Sequence, residues 1–134
     1  MRIRRLTIAA GLAAVLTAGL QTPVWAVQDS GTTAAATCTI RWQTSGGHSG
    51  FTAGYSWAWN TIVQRGDEGN AVREIQCLVN SHAYYDGPKL TVDGAYGQLT
   101  ESAVRRLQTN WSRAHSITID GIVGPQTWRA LRSA

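Results

Sequence analysis

The sequence predicts an all-α domain of three short helices, preceded by an irregular aromatic segment that a disulfide ties on. Three observations carry this reading. Three stretches place apolar side chains at helical spacing. Two segments, 90–100 and 117–127, repeat one pattern of extended chain, Asp-Gly turn and helix start. Two cysteines fall in the aromatic segment (Cys38) and in the first helical stretch (Cys77).

The chain opens with Arg2, Arg4 and Arg5, then runs uncharged and apolar from Leu6 to Leu20. Val24 and Ala26 stand at the −3 and −1 places of a small-residue cleavage site, so residues 1–26 are expected to be a cleaved secretory signal. A membrane anchor needs about 20 apolar residues, more than this run offers. Arg4-Arg5 leaves both the general secretory and the twin-arginine routes open. Cys38 lies too far past the cleavage point to carry a lipid. An exported chain with an even cysteine count implies one disulfide, Cys38–Cys77. Closing a loop of that size contributes about 4 kcal/mol in the chain-entropy model. That is a large share of a stability of roughly 5–15 kcal/mol.

Arg2, Arg4 and Arg5 leave with the leader, so nine basic side chains then face eight acidic ones. No basic stripe marks a nucleic-acid partner, and no span remains to cross a membrane. The exported chain is expected to be a monomer.

Residues 27–37 read as a flexible polar arm. Residues 38–62 hold Trp42, Phe51, Tyr55, Trp57 and Trp59 among Gly46, Gly47, Gly50 and Gly54. That is too aromatic for a linker and too glycine-rich for a helix. The segment, with a short hairpin as one option, is expected to pack on the helical part. Its rings either complete the core or form a binding surface, and the core role is favoured.

Residues 63–132 form the helical domain. Val72, Ile75, Leu78 and Val79 write one buried stripe after the Gly66 and Gly69 turn. Asp86-Gly87-Pro88 marks a turn. Leu99, Ala103, Val104, Leu107 and Trp111 write a second helix. Pro125 suits the first position of a third, which buries Trp128 and Leu131.

The repeat has a physical logic. Asp93 and Asp120 can accept backbone N–H groups in Asx-type turns, and Gly94 and Gly121 supply a positive φ. Gly97 and Gly124 allow a sharp start to each helix, and Thr100 and Thr127 sit in its first turn, where a hydroxyl can bond back to the loop. Both aspartates therefore read as turn holders rather than acids or metal ligands.

The ordered set Gly66-x-x-Gly69-x-x-Val72-x-x-Ile75-Gln76, Asp93-Gly94-x-Tyr96-Gly97-x-x-Thr100-x-x-Ala103-Val104-x-x-Leu107-Gln108 and Asp120-Gly121-x-Val123-Gly124-Pro125-x-Thr127-Trp128-x-x-Leu131 resembles the peptidoglycan-binding domain family of three-helix modules. The resemblance covers about half the chain. It implies a compact three-helix fold and attachment to bacterial cell wall. The stretch from Gln108 to Asp120 is longer than the family's usual spacing, which implies an enlarged second loop.

No catalytic chemistry is written in the sequence. His48, His82 and His115 form no close metal pair. No Gly-x-Ser-x-Gly elbow exists, and no calcium loop. The expectation is a secreted, cofactor-free and metal-free module that binds peptidoglycan, by glycan or stem peptide. Two alternatives stay open: a small cell-wall hydrolase that uses Asp93 or Asp120, and a secreted protein-binding or inhibitor domain. Ligand contacts are expected from rings that stack, Tyr84, Tyr85, Tyr96 and Trp111, and from cations that pair with carboxylates, Arg105, Arg106 and Arg113.

Overall fold

The computed structural model describes residues 37–133. The expected signal peptide and all but the last residue of the polar arm lie outside the described residues. The order of elements is β1 (Arg41–Ser45), β2 (His48–Thr52), α1 (Asn70–Ser81), α2 (Gln98–Trp111) and α3 (Pro125–Arg132).

The two strands correct the all-α expectation. They form an antiparallel hairpin with Trp42 opposite Phe51 and Ser45 opposite His48. Its two-residue turn is Gly46-Gly47, with φ of 60° and 79°. Positive φ at both turn positions matches the right-handed twist of paired strands, and glycine adopts it without steric cost. Among the described residues, three helices and this small sheet make up the fold.

α1 is the central element. The sequence marks one apolar stripe on it, yet Val72 and every residue from Glu74 to Val79 are buried. Its second face is covered because its polar side chains find partners in neighbouring segments. Cys77 lies in this buried run and is bonded to Cys38, which anchors the aromatic segment to the helix. α2 buries Thr100, Ala103, Val104, Leu107 and Gln108. Leu99, expected in that stripe, is 78% exposed. It sits in the first turn, well round the helix from the stripe's centre at Val104 and Leu107. α3 starts at Pro125 and buries Trp128, whose indole N–H donates to Thr61 O at 2.7 Å.

The aromatic segment packs against the helices through Arg132, the last residue of α3. Its guanidinium lies 4.8–5.2 Å from the ring centroids of Trp57, Trp59 and Trp128. It donates to Phe51 O, Ser56 O and Ala58 O and pairs with buried Glu74 at 3.0 Å. Trp42 is the exception in this segment, with its ring 57% exposed on the hairpin.

Candidate functional site

The repeated turns are built alike, each around a buried glutamine of the preceding helix. In the first, Asp93 Oδ1 accepts the Ala95 N–H at 2.9 Å and the Gln76 amide at 2.9 Å. Gln76 also donates to Ala95 O and Thr100 Oγ1, and its own carbonyl accepts the Gly94 N–H at 3.0 Å. In the second, Asp120 Oδ1 accepts from Ile122 N at 2.9 Å and from Gln108 at 3.2 Å. Gln108 donates to Ile122 O and Thr127 Oγ1 and accepts from Asp120 N and Gly121 N. The φ values of 76° at Gly94 and 74° at Gly121 fit the turn chemistry. The Ala95 N–H, and then the Gln76 amide, hold the Asp93 carboxyl below the usual carboxylate range. A carboxylate stabilised in this way is a poor proton donor near neutral pH.

The first of these knots, with Gln76, Asp93, Ala95 and Thr100, forms one wall of a groove. The chain between α1 and α2 leaves a cleft of about 550 Å³ against the first half of α2. Leu90, Ala95, Leu99 and Ala103 supply aliphatic surface, Tyr85 one ring, and Lys89, Arg106 and Asp93 the charges. Each wall is pinned. Asn80 pairs with the Leu90 backbone in both directions, donating to its carbonyl at 2.9 Å and accepting its N–H at 2.7 Å. Asn110 donates to Tyr84 O and Asp86 Oδ1, clamping the other side of the loop to α2. Arg106 Nε donates to Asp86 at 2.6 Å, and this contact keeps the exposed Asp86 carboxyl below its ordinary range. The Tyr85 hydroxyl donates to Pro88 O at 2.5 Å. The cleft is therefore preformed, with an apolar floor and a few convergent polar groups, as small-ligand sites are.

Residues 68–131 match the family model described as "Putative peptidoglycan binding domain". An uncharacterized protein of Kitasatospora aureofaciens is 35% identical over 120 residues, which cover 90% of this chain and 88% of that one. The chain belongs to the peptidoglycan-binding domain family. It is also 33% identical, over 75 residues, to the zinc D-Ala-D-Ala carboxypeptidase of Streptomyces albus G. That match takes in 56% of this chain and only 28% of the enzyme. Among solved structures, the SleB N-terminal domain matches with 32% identity and a TM-score of 0.44, over 54% of this chain and 89% of that one.

In this peptidoglycan-binding domain the residues expected to touch ligand are dispersed. Tyr85 and Arg106 line the groove. Tyr84 does not. Its ring packs edge-on to Trp111 at 5.0 Å, and Trp111 is stacked on its other neighbour, His115, at 3.9 Å. Arg105 lies over the second turn, where a Cβ at Gly121 would come within 3.1 Å of it. Arg113 is exposed in the chain between α2 and α3, away from the groove. Tyr96 is a correction. Its ring is 1% exposed, and its hydroxyl donates to Gly121 O at 2.6 Å, so it is a core ring that braces the second turn. Burial pushes its phenol far up.

Sequence reasoning did not assign roles to Gln76, Asn80, Lys89 or Leu90, which shape the groove, or to Gln108, which holds the second turn. The available signal was a glutamine that directly follows an apolar stripe residue in the helix before each turn, Ile75-Gln76 and Leu107-Gln108. Two interior glutamines on apolar stripes require partners.

His82 positions Tyr84. Its Nε2 lies 2.7 Å from Ala130 O and its Nδ1 accepts the Tyr84 N–H at 3.1 Å. A carbonyl only accepts, so Nε2 carries the proton and the ring is neutral. Protonation would set an N–H at Nδ1 against that of Tyr84. Burial lowers the His82 pKa from 6.5, against the opposing effect of the Ala130 contact. The folded state thus resists a proton that the unfolded chain takes up, and His82 costs stability as pH falls below about 6.5. NMR titration is expected to place the His82 ring below 6.5; a midpoint at or above that value would contradict the tautomer assigned.

Proposed function

We propose that the protein is an exported, non-catalytic module that holds to the cell wall through the groove between the α1–α2 loop and α2. The carrying observation is the groove itself: a preformed cleft with apolar and cationic lining, on the first of two turns whose aspartates are committed to backbone and amide donors. The likeness to a zinc D-Ala-D-Ala carboxypeptidase supports this reading. The shared part is a minor fraction of that enzyme, and among the described residues no group of three His, Cys, Asp or Glu could hold a metal. We read the shared part as the grip on the wall. The signal-like leader and the disulfide support a place outside the cell.

The purified chain is expected to co-sediment with insoluble peptidoglycan without lowering the turbidity of the suspension. Clearing of the suspension that is lost in Asp93→Asn or Asp120→Asn would replace this reading with a hydrolase. Failure to sediment would turn attention to a protein partner.

A further inference from the structure

Resting on that reading, we infer that the groove receives the peptide part of the wall polymer, with a free carboxylate at its Lys89–Arg106 side, and not the glycan strand. The first argument is shape. A sugar ring gains most when its C–H face lies on a flat aromatic face. The groove's only ring is Tyr85, which is half-buried and packed against the core, with its hydroxyl committed to Pro88 O. The remaining apolar lining is aliphatic: Pro88, Leu90, Leu99 and the methyl groups of Ala95 and Ala103. Such surface matches small alkyl side chains. Among the described residues the most exposed tryptophan or tyrosine ring, Trp42, stands on the hairpin and outside the groove.

The second argument is charge. Lys89 and Arg106 face one carboxylate, Asp93, among the lining residues. Lys89 has no carboxylate partner among the described residues; its ammonium meets the Asn80 carbonyl. Arg106 engages Asp86 through Nε, and its two terminal nitrogens make no hydrogen bond among the described residues. Those groups suit an incoming carboxylate, which a guanidinium and an ammonium bind by charge-assisted hydrogen bonds. A glycan whose lactyl carboxyls are tied up as amides to the stem peptide shows only hydroxyls and amides, and offers them no such partner. Asp93 uses Oδ1 in the turn, and its Oδ2 remains to accept an amide N–H or an amine of the same peptide. The cleft of about 550 Å³ falls in the range that encloses a small ligand.

The test compares the purified chain on intact sacculi, on the same sacculi stripped of stem peptides by an amidase and with the lactyl carboxylates so freed capped as methylamides, and with soluble stem peptides as competitors. Stripping is expected to weaken binding by at least about tenfold, and free peptide to release the chain, as loss of charge-assisted hydrogen bonds implies. Peptides with amidated carboxylates are expected to compete about tenfold less well. Lys89→Glu, at an exposed position, should reduce binding to intact sacculi with an unchanged thermal midpoint. Equal binding to intact and stripped sacculi would overturn the peptide assignment and leave wall binding standing. No binding to intact sacculi would overturn both.

Discussion

Replacing Arg132 with Met is expected to destabilise the fold by about 3–5 kcal/mol, the range for removing one partner of a buried ion pair. The reason is what stays behind. Glu74 is fully buried and accepts from Thr52 Oγ1, Ala53 N and Tyr55 N as well as from Arg132. Without the guanidinium its charge has no counter-ion, and the carbonyls of Phe51, Ser56 and Ala58 lose their donor. Burial alone already pulls the Arg132 pKa down, with Glu74 opposing it. The double change Glu74→Leu with Arg132→Met should recover part of the loss, because the stranded charge is gone. Urea unfolding of the three variants measures this. A single-variant loss below about 1 kcal/mol would show that the pair does not hold the aromatic segment to the helices.

Gln108→Leu is expected to cost about 3 kcal/mol, because the N–H groups of Asp120 and Gly121 and the carbonyl of Ile122 lose a buried partner at once. Gln108→Glu should be no better, since it sets a second carboxylate beside Asp120 Oδ1, now 3.2 Å from the amide. Gln76→Leu should act in the same way on the first turn, and it should also loosen the groove. Denaturation midpoints check all three. Wild-type stability in Gln108→Leu would mean that the turns stand without their amide.

What the sequence made legible is what is local. The three helices follow from apolar spacing, and the Asp-Gly turns follow from side-chain and φ preferences acting over two residues. The partners of Gln76 lie 17–24 residues away, and those of Arg132 as far as 81. No periodicity records such pairings, so Arg132 resembles the solvated cation that commonly ends a helix. Tyr84 and Tyr85 are both expected among the stacking rings. In non-helical chain, neighbouring side chains point apart, and here one meets Trp111 while the other lines the groove. Leu99 fits the stripe by spacing, but in the first turn of α2 it is exposed and lines the groove.

That exposed leucine gives the most direct test of the account. Binding isotherms of wild-type and Leu99→Asp chains on purified sacculi should differ by at least about tenfold, the worth of burying one leucine side chain, while thermal unfolding stays the same. Equal affinity in the two chains would contradict the claim that this groove is where the domain holds the wall.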